Sequence, residues 1–234
     1  MRASRQSSPY VLMGVLALLI AGAIVLSLVT APPIARQELQ SAARNTTAAR
    51  SFVLDYKALT FEAATSPASR AEKPVETGAA AVKFQYQAPD RILQVRNESG
   101  LVVSILIIGR NSYERIGSQP WSELPGSSTE TSEGVQVAGE VLSILHPMAD
   151  ATAVDRRGST YRFTPSRKDP LLENLFGTEA SMLSKISFSA VLGGGLVRDE
   201  AISATGAGTH FELSFKFRLI GTAPPLVAPA RSRG

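Results

Sequence analysis

Lys83-Phe-Gln-Tyr-Gln-Ala-Pro-Asp-Arg-Ile-Leu-Gln-Val-Arg-Asn-Glu-Ser-Gly-Leu-Val-Val-Ser-Ile-Leu-Ile-Ile-Gly-Arg-Asn-Ser-Tyr-Glu-Arg-Ile-Gly-Ser-Gln-Pro-Trp121 reads as four strands with a corner, a hairpin and a turn between them. Val82, Phe84 and Tyr86 alternate with Lys83, Gln85 and Gln87, the period of a half-buried strand. Pro89 lacks a ladder donor and, with Asp90, marks the corner. Asn97-Glu-Ser-Gly100 lies between apolar runs and predicts a hairpin.

The same pattern extends to both sides. Ile34–Arg50 has the composition of a helix, with an apolar stripe thin enough for a stalk or for a helix laid on a sheet. Ser51–Phe61 is a strand with Phe52, Leu54 and Tyr56 on one face. Ala63–Thr77 and Ser122–Gly134 are polar loops. Val135–His146 is helical, with Val137, Val141, Ile144 and Leu145 on one side and Pro147 as its stop. Ala149–Asp155 and Ser159–Pro165 form a hairpin about Arg156-Arg-Gly158. Asp169–Gly177 is a short helix with Asp as N-cap, Pro in the first turn and Gly beyond its end. Ser184–Leu192, Leu196–Ala204 and Thr209–Ile220 are strands joined by glycine turns. In the last, Phe211, Leu213, Phe215 and Phe217 face one way and His210, Glu212, Ser214 and Lys216 the other. Thr222–Gly234, rich in Pro, Ala and Arg, is expected to be a disordered tail.

The chain has 234 residues and no cysteine, which excludes disulfides, thiolate metal sites, a cysteine nucleophile and a lipid-modified N-terminal cysteine. Its formal charge is +4, and Arg2 and Arg5 supply two of these positives. The remaining cations are scattered, which argues against nucleic acid as a partner. Tyr10–Thr30 is apolar apart from Ser27, about the ~20 residues that cross a hydrocarbon core. Arg2 and Arg5 ahead of it favour a cytoplasmic residue 1–9 segment and an extracytoplasmic remainder. A cleaved signal peptide is the competing reading, with Val29-Thr-Ala31 as its cleavage site. The run exceeds the usual ~7–15-residue core of such peptides, and Pro32 would follow the cut.

Short glycine turns imply an antiparallel meander rather than βαβ units. Strands with one apolar and one polar face imply a sheet covered on one side. A twisted sheet of roughly eight to ten strands tends to curl. The expected fold is therefore α+β: a curved antiparallel sheet, an open half β-barrel, with Val135–His146 and Asp169–Phe176 packed in its concave face and one N-terminal transmembrane helix ahead of it.

No residue set in the chain reads as catalytic, and no cofactor is expected. The two histidines, His146 and His210, have no metal-binding spacing and read as surface residues. Gly193-Gly-Gly195 lacks the Lys and Ser/Thr of a phosphate loop and reads as a hairpin turn. Asn45-Thr-Thr47 and Asn97-Glu-Ser99 are glycosylation sequons, meaningful only in a eukaryotic secretory path. Ser127–Glu133 reads as a solvated loop. Lys83, Arg91, Arg96, Arg110 and Arg115 are exposed solvating charges or contacts for an anionic headgroup at a cavity mouth. The aromatic stripe of Phe52, Tyr56, Phe84, Tyr86, Phe211, Phe215 and Phe217 is either a hydrophobic core or the lining of an apolar cavity, because alternation reports burial and not emptiness.

Tyr86-Gln-Ala-Pro-Asp-Arg91, followed by Ile108-Gly, Tyr113-Glu-Arg and Trp121, resembles the LolA-like bacterial lipoprotein-carrier superfamily, more narrowly the LppX/LprG/LprA-like actinobacterial envelope lipoproteins. Gly195-Leu-Val-Arg198, the aromatic strand to Phe217 and the Ile220-Gly-Thr-Ala-Pro to Ala-Pro229 ending are similar too, so the resemblance covers about Ala48 to Pro229. It implies a half-barrel closed by helices around a cavity for acyl chains. The family's lipidated cysteine is missing here, so Tyr10–Thr30 would be the anchor instead.

The expected domain order is a cytoplasmic 1–9, an anchor or signal peptide at 10–30, a linker and helix at 31–50, the half-barrel at 51–221 and the tail at 222–234. The expected cavity lining is Phe52, Leu54, Tyr56, Val82, Phe84, Tyr86, Leu93, Val95, Ile105, Ile107, Val141, Leu145, Phe188, Phe211, Leu213, Phe215 and Phe217. The resemblance implies a bacterial single-pass membrane protein whose outer domain binds lipid or another apolar ligand and carries lipids or lipoproteins within the envelope. The alternative is a sensory or protein-interaction module of an envelope complex with a filled core, its partner another envelope protein.

Overall fold

A computed structural model describes residues 34–62, 75–124, 133–165, 171, 183–206 and 208–229. Eleven strands form one antiparallel sheet: β1 Ser51–Glu62, β2 Glu76–Gln87, β3 Arg91–Glu98, β4 Leu101–Ile108, β5 Asn111–Ile116, β6 Ser122–Leu124, β7 Ala153–Arg157, β8 Thr160–Thr164, β9 Ser184–Gly193, β10 Leu196–Gly206 and β11 Thr209–Arg218. Their order is β6-β5-β4-β3-β2-β1-β11-β10-β9-β8-β7. Two meanders therefore meet where β1 pairs with both β2 and β11. The sheet is open, with β6 and β7 as its edges.

Local chemistry sets the register of the first meander. Gln87 pairs with Arg91 across the Ala88-Pro89-Asp90 corner, and Gly109 N donates to the Asp90 carbonyl at 3.2 Å. Ser99 and Gly100 both take positive φ, 52° and 86°, so a two-residue turn closes the β3–β4 hairpin. The Asn97 side-chain oxygen accepts from Gly100 N at 2.9 Å.

Among the described residues three helices lie on one face of the sheet: α1 Ile34–Thr47, α2 Glu133–Ser143 and α3 His146–Ala149. Leu39, Ala42 and Ala43 of α1, Ala138 and Val141 of α2, and Leu145 and Met148 in and before α3 join one cluster with Phe52, Leu54, Ile92, Phe188, Phe215 and Phe217. Helix α1 is thus laid on the sheet and is not a stalk. Thr46 fixes it there: its hydroxyl donates to the Ala42 carbonyl at 2.8 Å and accepts from Val197 N at 2.9 Å.

Several expectations are corrected. The sheet has eleven strands rather than eight to ten, because the three-residue β6 is too short to show a period. Strand β2 starts at Glu76, inside the expected loop, because Gly78-Ala-Ala-Ala81 pairs with β1 without an apolar alternation to betray it. Pro147 does not stop the helix that contains Val141. That helix ends at Ser143, and Pro147 instead enters the first turn of α3, where its missing N–H costs nothing.

Thr222–Pro229 is not a disordered tail. Gln85 Nε2 donates to the Pro224 carbonyl at 2.6 Å, Arg91 Nη1 donates to the Leu226 carbonyl at 2.8 Å, and Leu226 N donates to the Gln87 side-chain oxygen at 2.7 Å. Leu226 is buried. Proline leaves few donors to satisfy, and the two glutamines and one arginine of the sheet supply the partners. Tyr10–Thr30, residues 63–74 and 125–132 of the expected Ala63–Thr77 and Ser122–Gly134 loops, Asp169–Gly177 apart from Leu171, and 230–234 lie outside the described residues. Among the described residues no helix is long and apolar enough to cross a membrane.

Candidate functional site

Cross-strand pairing carries one face through both meanders. Phe217, Leu54, Phe84, Gln94 and Ile105 stand in one row across β11, β1, β2, β3 and β4. Phe215, Tyr56, Val82, Arg96 and Val103 form the next. The rings touch edge-on and stacked: Phe52 lies 5.5 Å from Phe217 and 5.1 Å from Tyr86, and Tyr56 stacks on Phe215 at 5.2 Å.

The helices do not fill this face completely. A cavity of about 580 Å³ separates Tyr56, Phe84 and Phe215 of the sheet from Val137, Val141 and Ile144 of α2 and the turn after it, with Leu171 also in its wall. Gln94, Glu140 and Ser143 give it a polar side. Its volume is within the ~300–1,000 Å³ range of small-molecule sites. A hollow of about 720 Å³ beside β7–β9 is larger, but Asp155, Arg162, Ser187 and Ser189 line it along with Phe163 and Phe188. The apolar lining and the helical cover make the cavity under α2 the candidate site.

The expected lining residues divide into four groups. Tyr56, Phe84, Val141 and Phe215 line the cavity. Phe52, Leu54, Tyr86, Leu145, Phe188, Leu213 and Phe217 are packed in the core cluster. Val82, Ile105, Ile107 and Phe211 lie on the same face but outside both groups. Leu93 and Val95 are on the opposite face, a correction: Leu93 pairs with Gln85 and Leu106, and Val95 with Lys83 and Ser104. Their alternation with Gln94 suggested an inward set. The corner, however, pairs Tyr86 with Ile92, and every later side chain follows that phase.

Sequence reasoning missed Gln94, Val137, Glu140, Ser143, Ile144 and Leu171. Helical spacing already placed Val137 and Ile144 beside Val141, whereas nothing local marked Gln94 as inward. It also missed Glu200, which is 1% exposed on the core face between Phe215 and Ala190. A register shift between Val197 and Asp199 turns Glu200 inward along with Ile202.

The register also sorts the five cations. Lys83 and Arg115 are on the far face, with Arg115 lying over the Trp121 ring at 4.7 Å. Arg91 is tied to Leu226 and Arg110 sits in the β4–β5 turn. Arg96 stands on the cavity face, two residues beyond Gln94, and contacts Glu98 at 2.6 Å.

Burial raises the Tyr56 phenol above its ordinary value. Burial, then the nearby Asp90 charge, does the same for Tyr86. Tyr161 is raised by burial and then by its 2.6 Å hydrogen bond to Glu38, which also accepts from Arg156 at 2.7 Å. His210 lies between Thr205 and Glu212 on the outer face of the β10–β11 hairpin, and His146 is exposed. Among the described residues no group of three or more His, Asp and Glu side chains is placed to hold a metal ion.

An open antiparallel sheet with its helices on one face is a fold already seen in a solved structure. Among solved structures the chain is similar to LprF from Mycobacterium bovis, with a TM-score of 0.52 at 9% identity over 85% of this chain and 98% of that one. A LolA superfamily protein from Nitrosomonas europaea matches at a TM-score of 0.32 and 11% identity, over 81% of this chain and 94% of that one. No family model matches the chain, and no curated protein matches it in sequence.

Proposed function

We propose that this is a non-catalytic envelope protein that holds lipid, or another apolar ligand, in a half-barrel cavity under α2. The observation that carries the reading is the cavity of about 580 Å³ walled by Tyr56, Phe84, Phe215, Val137, Val141 and Ile144. Each CH₂ group of an acyl chain moved there from water contributes ~0.8 kcal/mol. Affinity therefore comes from chain length, and Gln94, Glu140 and Ser143 are left to orient the polar end. Val82, Ile105 and Phe211 extend the apolar surface along the sheet beyond the cavity. The resemblance to lipoprotein carriers supports the same reading, with Tyr10–Thr30 as a single-pass anchor and the half-barrel outside the membrane.

The test is to purify residues 34–229, extract the protein with organic solvent and look for lipid by mass spectrometry. A fluorescent fatty acid titrated into the delipidated protein gives the second measurement. Co-purifying lipid, or saturable binding that Val137→Trp weakens, is the expected result. A protein with neither lipid nor probe binding would sink this reading and leave the protein-interaction module in its place.

A further inference from the structure

Three of the exposed large apolar side chains gather at one end of the sheet. Leu101 is 57% exposed, Val102 46% and Ile116 37%. Ile116 pairs with Val103, and Gly117 N donates to the Val102 carbonyl at 2.7 Å, so the β3–β4 hairpin and the end of β5 form one tip. Its turns, Ser99-Gly100 and Gly117-Ser-Gln-Pro120, carry no charge. Arg115 and Trp121 form a stacked pair beside it.

The tip stands where the helical cover gives out. Along β1 the side chains are buried from Ser51 to Leu54 and partly or fully exposed from Asp55 to Glu62; β2 is exposed or half-exposed from Glu76 and buried at Tyr86. Leu101 and Ile116 share the cavity face at the exposed end: Ile116 stands in the row of the last β2–β3 pair, Val82 with Arg96, and Leu101 lies beyond that row. Ile34, where the described chain begins, is at the other end, beside Leu192 and Gly193-Gly-Gly195.

We infer that this tip docks on the surface of a phospholipid bilayer, one apposed to the open end of the sheet. The choice of a bilayer rests on the lipid-binding reading above. Three side chains fall far short of the ~800 Å² per partner that a stable protein interface buries. Shallow insertion into a lipid surface needs no complementary partner, and a Trp–Arg pair suits the polar boundary of a bilayer. Docked this way, the uncovered end of the cavity face meets the membrane, and cargo can pass without crossing water.

Trp121 is the chain's one tryptophan and reports docking directly. The full chain, first taken up in unlabelled phosphatidylcholine vesicles, is mixed with acceptor vesicles whose phospholipid chains are brominated. Trp121 emission is expected to fall on mixing and to recover when the acceptors are sedimented away. The change should be several-fold weaker in Leu101→Ser/Val102→Ser/Ile116→Ser, and intermediate in Leu101→Ser alone, whose exposed position leaves the core untouched. No quenching, or equal quenching in these variants, overturns the inference. So does quenching that persists after the acceptors are removed, because that reports brominated cargo. Lipid extraction and fatty-acid titration of residues 34–229 carrying the same substitutions, without vesicles, test the cavity separately: a variant that still binds lipid or probe but no longer docks separates the two, and docking by a protein that binds neither sinks the cavity reading alone.

Discussion

Arg91 Nη1 donates to the Leu226 carbonyl at 2.8 Å, so the start of the third strand holds a segment that follows the last one. Gln85 and Gln87 hold the same segment from the neighbouring strand. A charged donor on a carbonyl contributes about 1.5–3 kcal/mol. Arg91→Ala is expected to lower the stability of the folded domain by about that much in urea unfolding. An unchanged midpoint would mean that the segment is only resting on the sheet.

Thr46 makes the second such tie. Its hydroxyl is buried and is the acceptor for Val197 N, next to the register shift that turns Glu200 inward. Thr46→Val keeps the shape and leaves that N–H without its partner, at a cost of about 1–3 kcal/mol. The loss should appear in unfolding midpoints, and amide exchange at Val197 should speed up. Slow exchange there in the variant would show that another group satisfies the N–H.

The cavity can be filled from the helix side. Val137 is half-buried and lines it, so Val137→Trp should occupy space that a ligand would use. Lipid or probe binding is expected to weaken at least several-fold, while the Tm changes little. Leu93→Ala is the matched control, because Leu93 stands on the opposite face and should leave binding as it was. Equal effects from the two variants would place the ligand somewhere else.

Stability should fall at alkaline pH. Tyr56, Tyr86 and Tyr161 all have phenols raised above the ordinary value of about 10, each first by burial. The unfolded chain then loses those protons at lower pH than the folded one. The stability they contribute is complete below pH about 10 and is lost as pH rises through the folded values. Tyr161→Phe removes the hydroxyl that donates to Glu38 and should flatten part of this loss. Phenolate absorbance followed alongside circular dichroism gives both curves. Ionisation of all tyrosines at ordinary pH, with the fold intact, would contradict it.

Much of the sheet was legible because alternation is local. Phe52, Leu54 and Tyr56, or Phe211, Leu213, Phe215 and Phe217, each announce one face of one strand without help from the rest of the chain. Leu93 and Val95 alternate just as well and point the other way, because a strand's phase is set by the turn that precedes it. Gln94 was illegible as a lining residue for the same reason, and Glu200 because a bulge leaves no mark in composition. Val137 and Ile144 were readable as a helix face, but what that face looks onto was not.

The sequence by itself determined the class of fold, the antiparallel pairing of neighbours and the absence of any thiol chemistry, since these follow from periodicity, turn residues and composition. Only the tertiary structure decided that β1 pairs with β11, that Thr222–Pro229 is strapped to Gln85, Gln87 and Arg91, and that a cavity remains under α2. Each depends on contacts between residues far apart in the chain. An apolar side chain is written the same way whether it meets another side chain or an empty space.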